Sequence, residues 1–317
     1  MERRRFLRLA AGVSVGVASG CLGGEDDSED EDGTDAPDIS ETAEFGYETW
    51  VPTGDYMNAG YADLARLREH GTLELDEETV RVVDGEDGGR VGPSFSDVDA
   101  YVSTDSTDAF RAYHGSFDAD ALAEAVEDEL VGAERDEHRG YAVVRGSEPS
   151  EEPPGEETEA SVNTQAGGGE REVIVADSFV VSSSSGTATR VVEAAVGEAD
   201  READTSELVQ GLGEYADDPP VVSFNYGSGN TAYKFVRTAD EGFEFVEVAY
   251  NARWTDEDIE EVVRRNDCRS KYGNETGVDL SNCRPRAERQ GDSVVITTPV
   301  RLDDVESTYF TEGGLMP

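Results

Sequence analysis

Phe117-Asp118-Ala119-Asp120-Ala121-Leu122-Ala123-Glu124-Ala125-Val126 is the stretch of this 317-residue chain that decides its fold. Leu122, Val126 and Leu130 recur every four residues, which is the spacing of one apolar helix face, and Asp118 stands in front of them as an N-cap. The stretch therefore predicts a helix that begins after Asp118 and packs one face against neighbouring strands.

Short runs of β-branched and aromatic residues, bounded by Gly, Asp or Pro, predict strands on both sides of this helix. Further helices are predicted at Tyr56 to His70, at Val191 to Val196 before Gly197, and at Asp256 to Arg265. The predicted strands are Tyr141 to Arg145, Val173 to Val181, Val221 to Tyr226, Tyr233 to Arg237, Phe243 to Tyr250 and Val294 to Val300.

The order strand, helix, strand, strand, helix from Phe110 to Gly197 favours antiparallel pairing. We expect an α+β fold of mostly antiparallel sheets with helices on one face. Pro219-Pro220 marks a boundary between an α+β domain over residues 45–219 and a strand-rich α+β subdomain over residues 220–317.

The segment from Ala112 to Val126 is paralleled by the segment from Ala249 to Val263. In each, a strand ends on an aromatic residue, a polar N-cap follows (Asp118 or Thr255), and an apolar stripe begins. Thr255 and Asp258 approximate a capping box. Either a tandem duplication into two related β-α-β-β subdomains or a recurring strand-to-helix connection explains the parallel, and the sequence leaves both open.

The first 21 residues have the features of an export signal. Arg3-Arg4-Arg5-Phe6-Leu7-Arg8 matches the twin-arginine pattern R-R-x-F-L-K, with Arg8 in the place of the lysine. The uncharged run from Leu9 to Gly20 is too short to span a bilayer. It ends at Ala18-Ser19-Gly20-Cys21, which is typical of a lipobox. We expect residues 1–20 to be a signal peptide and Cys21 to take a lipid that anchors the chain to the membrane.

An ordinary secretory signal is the alternative interpretation, because it also has a basic start and small residues at its cleavage site. Glu2 stands where Ser or Thr is usual in the twin-arginine pattern, and Ala18 stands where a lipobox usually has Leu. Cleavage by an ordinary signal peptidase therefore stays open.

The chain is strongly acidic, with 72 acidic and 26 basic residues and a net charge of -46. Lys234 and Lys271 are its only lysines. Repulsion opposes compaction in dilute buffer, but the Debye length falls to about 3 Å at 1 M salt, so concentrated salt screens it. Acid excess with few lysines resembles proteins of extreme halophiles, and twin-arginine export of folded lipoproteins is typical of haloarchaea.

The same composition bears on partners. No basic stripe offers phosphate neutralisation, so nucleic acid is not expected as a partner. Asp30-Glu31-Asp32-Gly33 comes nearest to a calcium loop and lacks its terminal glutamate. We therefore interpret the carboxylates as a solvated surface adapted to salt.

Two acidic segments lack the apolar residues that a packed core needs. Residues 21–44 are predicted to be a disordered tether. Residues 147–170 have Glu-Pro repeats followed by Gly167-Gly168-Gly169, and they are predicted to be a disordered insert between two strands.

No pattern predicts a catalytic, cofactor or metal site. His70, His114 and His138 are far apart in sequence and form no H-E-x-x-H motif. Ser182-Ser183-Ser184-Ser185 is interpreted as a strand end that runs into the cap of the next helix. Gly227-Ser228-Gly229 is interpreted as a hairpin turn, since it lacks the lysine of a phosphate loop.

Four aromatic residues cluster near the predicted first helix: Tyr47, Trp50, Tyr56 and Tyr61. Packing in or near the core is the favoured interpretation, and an exposed stacking surface is the alternative.

Gly115-Ser116-Phe117-Asp118 before the first main helix, with Arg139-Gly140-Tyr141 opening the next strand, resembles uncharacterised lipoproteins of haloarchaea. The resemblance covers Tyr101 to Gly213 and implies no activity. The leading hypothesis is a non-enzymatic binding or interaction protein, lipid-anchored on the extracytoplasmic face of the membrane. An exported hydrolase and a solute-capturing receptor for a transporter are the alternatives.

The remaining cysteines, Cys268 and Cys283, form an even pair in a chain expected in an oxidising space, so we expect a disulfide bond between them. A metal site is not expected, because two thiolates without a nearby histidine leave a tetrahedral shell incomplete. The hydrophilic loop between them contains Asn274-Glu275-Thr276, an acceptor sequence for N-glycosylation.

Mass mapping of the exported protein without reduction should find one peptide pair joining Cys268 to Cys283. A closed loop of about 15 residues stabilises by roughly 3 kcal/mol, so reduction should lower the unfolding midpoint without abolishing the fold. Recovery of both residues as free thiols would reject the bond.

Overall fold

The computed structural model describes residues 44–69, 79–84, 90–105, 109–149, 169–184, 186–226, 231–239, 242–250, 255–265 and 286–300. The export signal, Cys21, Cys268, Cys283 and Asn274 lie outside these ranges, as do nearly all of the predicted tether and most of the predicted insert. The expectations about those residues therefore stay predictions.

Twelve described strands form one antiparallel sheet, and β2 (Val83–Asp84) and β3 (Arg90–Val91) form a separate small one. The order across the large sheet is β13-β14-β12-β11-β10-β1-β4-β5-β9-β8-β7-β6. Its strands are β1 (Asn58–Asp63), β4 (Val98–Asp105), β5 (Phe110–Gly115), β6 (Val131–His138), β7 (Tyr141–Ser147), β8 (Glu170–Val175), β9 (Phe179–Ser184), β10 (Val221–Asn225), β11 (Thr231–Ala239), β12 (Gly242–Tyr250), β13 (Arg286–Gln290) and β14 (Ser293–Val300).

Helices connect the strands, and the class is α+β with antiparallel pairing, as the sequence predicts. Short 3-10 turns cover Phe95–Asp97 and Leu212–Glu214. The α-helices in the described part are α1 (Tyr47–Trp50), α2 (Leu64–Glu69), α3 (Ala119–Glu129), α4 (Thr187–Ala195), α5 (Glu202–Thr205), α6 (Glu207–Gly211) and α7 (Asp256–Arg265).

The helices pack on both faces of the sheet, so the expectation that they lie on one face is wrong. Val144 and Val173 point into the core under α3, whereas their chain neighbours Val143 and Ile174 point into the core under α4. Successive strand residues face opposite sides. Strands β7 to β9 are apolar on both faces, so a packed element must cover each face.

The run from Val173 to Val181 is a hairpin rather than the single strand that was predicted. Strands β8 and β9 are separated by a turn at Asp177 and Ser178, where the Ala176 N–H donates to the Phe179 carbonyl at 2.9 Å. A continuous apolar run shows no period at which to divide it, so only the pairing of β8 with β9 reveals the turn.

The helix predicted from Tyr56 to His70 is only partly correct, because its first part is a strand. Strand β1 occupies its first part, and α2 follows after Asp63, whose Oδ1 accepts from the Arg66 N–H at 2.8 Å. Gly60 in β1 lies opposite Ser103 on one side and Ser223 on the other. Pairing with strands distant in sequence overrides the local helical spacing.

Strand β1 also joins the two sides of Pro219-Pro220 in one sheet. Tyr61 pairs with Val102 of β4, which precedes the prolines, and with Val222 of β10, which follows them.

The two segments that share a sequence pattern, Ala112 to Val126 and Ala249 to Val263, occupy similar places in this sheet. Strand β5 leads into α3 and β12 leads into α7, and each strand also pairs with the last strand of a later hairpin, β9 or β14. The Asp118 carboxylate caps α3 by accepting from the Ala121 N–H at 3.1 Å. Thr255 and Asp258 exchange side-chain to backbone hydrogen bonds at 2.7 and 3.2 Å, which confirms the capping box.

Charged side chains from outside α4 cap both ends of this largely buried helix. The serine run ends β9 at Ser184, as the sequence predicts, but the N-cap of α4 is Gly186, at φ 81°, so the expectation of a Ser or Thr cap is wrong. Instead Glu172 of β8, which is 2 % exposed, accepts from the Thr189 N–H at 3.0 Å and from its hydroxyl at 3.1 Å. Arg145 donates to the same carboxylate at 3.0 Å. The carboxylate supplies negative charge where the helix dipole is positive.

The other end of α4 is held by Arg201, whose guanidinium donates to the carbonyls of Ala194 and Ala195 at 2.8 and 3.1 Å. Gly197, at φ 78°, ends this helix as the sequence predicts. Positive charge is thereby placed where the helix dipole is negative.

Replacement Glu172→Ala should lower the free energy of unfolding by about 2 kcal/mol, because it removes a cap and leaves the Thr189 N–H unsatisfied. Urea unfolding followed by circular dichroism in about 3 M KCl measures the change. Glu170→Ala, at an exposed position of the same strand, is the matched control and should change stability little. Equal effects of the two substitutions would contradict the capping role.

Candidate functional site

A depression of about 380 Å³ opens where the start of α3 meets the β6–β7 and β8–β9 turns. It combines small apolar side chains with charged ones. The apolar lining is Ala119, Ala142, Val175 and Ala176, and the polar lining includes Asp120, Arg135, Asp136, Glu137, Tyr141, Asp177 and Ser178. Its volume is at the lower end of the range for pockets that hold small molecules.

Two of the four lining carboxylates are engaged with arginines. Asp120 pairs with Arg135 at 3.2 Å, and Asp136 pairs with Arg145 at 3.4 Å. These side chains are largely exposed, so the pairs orient the groups more than they stabilise the fold.

The other two carboxylates face no cation in the described part of the chain. Asp177 accepts from the Ala119 N–H at the first turn of α3 at 3.4 Å. The exposed Glu137 carboxylate has neither an ion pair nor a hydrogen bond to any described residue. Four carboxylates against one guanidinium give the lining a negative balance, which favours ligands that present positive charge beside a small apolar group.

A second polar cluster lies beneath the chain segment that precedes β1. Glu202, at the start of α5, is 7 % exposed and accepts hydrogen bonds from the Gly54 N–H and the Ser206 hydroxyl. Burial raises the pKa of Glu202, and these two hydrogen bonds oppose that rise. No charged side chain of the described residues offsets the cost of burial.

Tyr226 completes this cluster. Its hydroxyl is buried without a hydrogen-bond partner among the described residues, and its ring lies 6.5 Å from that of Tyr56. Burial raises the pKa of Tyr226, and the neighbouring Glu202 carboxylate raises it further. The Tyr56 hydroxyl donates to the Pro52 carbonyl at 2.8 Å.

Two of the four aromatic residues singled out in the sequence are core residues. Trp50 and Tyr56 are 1 % and 7 % exposed, which confirms the packing interpretation for both. Tyr47 and Tyr61 are half-buried, with ring centroids 5.9 Å apart. Phe45 packs on Trp50 at 4.8 Å and so extends the aromatic group toward the N-terminus.

The structure brings neither described histidine to the depression. His114 lies 5.3 Å from the Phe45 ring, and the His138 Nε2 atom is buried without a partner among the described residues. His70 lies outside the described ranges. Within those ranges, no three His, Cys, Asp or Glu side chains are grouped as metal ligands.

No α-helix among the described residues is long and apolar enough to cross a membrane.

No protein-family model matches the sequence, and no curated protein matches it. Two crystal structures of TP0453 show a weak likeness. Crystal form I gives a TM-score of 0.44 at 10 % identity over 85 % of this chain and 98 % of that one. Crystal form IV gives a TM-score of 0.43 at 9 % identity, over 84 % of this chain and 96 % of that one. Similarity at this level carries no argument about function.

The sequence indicated neither the depression nor the Glu202 cluster. The lining comes from three separate parts of the chain, which only the tertiary structure brings together. Glu202 stands in an acidic stretch that resembles the rest of the surface, and nothing in the sequence marks it as buried.

Replacement Glu202→Gln should make the protein more stable at neutral pH, because Gln keeps an acceptor for Gly54 and carries no buried charge. Since the pKa of Glu202 is raised from 4.5, the folded state binds the proton more tightly than the unfolded chain. That contribution is complete below the unfolded pKa and is lost as pH rises through the folded pKa. The gain should amount to ~1.4 kcal/mol for each unit of the rise.

Urea unfolding of both proteins across about pH 4 to 8 tests this, since the two stabilities should converge as the pH falls toward the lower limit. A stability difference that is independent of pH would contradict the assignment.

Proposed function

We propose that this protein is a lipid-anchored, extracytoplasmic binding or interaction protein, and that the depression at the start of α3 is its binding site. The observation that supports binding is the depression itself, which combines a charged lining with small apolar side chains in one open cavity. A small ligand or the side chain of a partner that presents positive charge fits this lining.

Anchoring is supported by the sequence of the first 21 residues, in which a twin-arginine pattern precedes the small residues before Cys21.

Ligand binding is tested by a thermal-shift screen of metabolites, sugars, amines and metal salts in about 3 M KCl, because a ligand that binds only the folded state raises its melting temperature. A hit at the depression should be weakened by Glu137→Gln, which removes a lining charge, and by Ser178→Tyr, which fills the opening. Glu134→Gln is the matched control, because Glu134 is exposed on the same strand and does not line the depression. A hit that all three variants bind equally lies elsewhere.

Export and anchoring are tested in cells. Replacing Arg3 and Arg4 with lysine should leave an unprocessed precursor in the cytoplasm, because the twin-arginine route requires both arginines. Cys21→Ser should block lipidation and release the protein from the membrane fraction. Localisation by fractionation and the mass of the mature N-terminus measure both effects. Efficient export of the double-lysine variant would reject the twin-arginine route.

A further inference from the structure

The segment from Trp50 to Tyr56 is held against the connection from Asp200 to Ser206 by a small set of hydrogen bonds. The Thr53 N–H donates to the Asp200 carbonyl, and the Glu202 N–H donates to the Val51 carbonyl, both at 2.9 Å. This contact joins the first described part of the chain to the face of the sheet that α4 covers.

Two arginines belong to this contact, and both are engaged with backbone carbonyls. Arg190 donates to the Thr53 carbonyl at 2.9 Å, and Arg201 donates to the last carbonyls of α4. Neither forms an ion pair with Glu202. Among the described residues, the buried carboxylate therefore accepts hydrogen bonds only from the Gly54 N–H and the Ser206 hydroxyl.

The other titratable groups around Glu202 also fail to stabilise its charge. Tyr226 lies beside it, and burial together with the Glu202 carboxylate raises the pKa of its hydroxyl, which stays neutral. The half-buried Tyr47 on α1 also has a raised pKa. The other titratable side chains on α1, on the segment, on the connection from Asp200 to Ser206 and on α6 are Tyr56, Arg201 and the exposed carboxylates of Glu48, Asp55, Asp200, Asp204 and Glu207.

The contact also contains buried polar atoms without partners. The Trp50 indole N–H and the Tyr226 hydroxyl have no hydrogen bond to any described residue. Each such atom lowers the stability of the closed contact relative to a hydrated, open one. This interface is consequently less stable locally than the apolar packing on either side of it.

We infer that the segment from Trp50 to Tyr56 is a pH-dependent latch, closed when Glu202 is protonated and loosened when Glu202 is ionised. Opening admits water to the carboxylate and to the two unpartnered groups. The hinge lies at Met57, whose N–H donates to the Asp105 carbonyl and whose carbonyl accepts from the Tyr226 N–H, both at 2.9 Å, just before β1 begins at Asn58.

The size of the effect follows from the linkage between proton binding and opening. Each unit by which the closed state raises the pKa of Glu202 above its ordinary value makes opening tenfold more favourable once the group is ionised. Trp50 and Val51 are deeply buried and oppose release, so the open form is a minority state at every pH.

The latch lies between the proposed lipid anchor and the sheet. The latch itself does not depend on the proposed ligand binding.

Acrylamide quenching of Trp50 fluorescence measures opening directly. The chain has two tryptophans, so the reference protein carries Trp254→Phe. In about 3 M KCl, the quenching constant of Trp50 should rise with pH above about 4.5, while far-ultraviolet circular dichroism stays constant. In Glu202→Gln it should stay at the low-pH value throughout.

Two further variants complete the test. Glu207→Gln, a neighbouring exposed glutamate, should keep the pH profile of the reference protein. Tyr226→Phe removes an unpartnered hydroxyl and should lower quenching at every pH while the rise with pH persists. The latch is rejected if Glu202→Gln shows the same rise as the reference, if the reference shows none, or if circular dichroism changes in parallel.

Discussion

The pairing of β1 with strands on both of its sides is the constraint on which the rest of the structure depends. All six of its residues pair with β4 on one edge and five of them pair with β10 on the other, so β1 connects strands that are more than a hundred residues apart in sequence. Without β1 the sheet would divide into two parts. The small residues Ala59, Gly60 and Ala62 are buried in it, which lets covering elements pack closely against both faces.

Few charged side chains are buried in the described part of this fold, whereas its edge strands carry many. The edge strands β6 and β13 are exposed and rich in charged side chains, which discourages pairing with another sheet. Inside, Glu172 and Arg201 complement the two ends of α4. Glu202 is the buried carboxylate that lacks such a complement among the described residues, and the latch proposal follows from that difference.

The latch lies on the face of the sheet that α4 covers, whereas the depression opens where α3 begins. Tyr141 and Phe179 connect them through ring contacts that lead back to Trp50. Binding at the depression and opening at the latch are separate properties, because the lining residues and the Glu202 contacts share no side chain.

The sequence by itself determined the elements whose signals are local. The N-cap of α3, the capping box of α7 and the glycine after α4 could be predicted, because each depends on residues within a few positions of one another. The order of strands and helices along the chain indicated the α+β class. The tertiary structure alone decided that β1 is a strand, that Val173 to Val181 turns back on itself, and that helices cover both faces. It also decided where the depression and the buried Glu202 lie, since both depend on contacts between distant segments. The spacing of apolar residues predicts which side chains are buried. It does not predict which strands pair to bury them, because that pairing depends on segments distant in sequence.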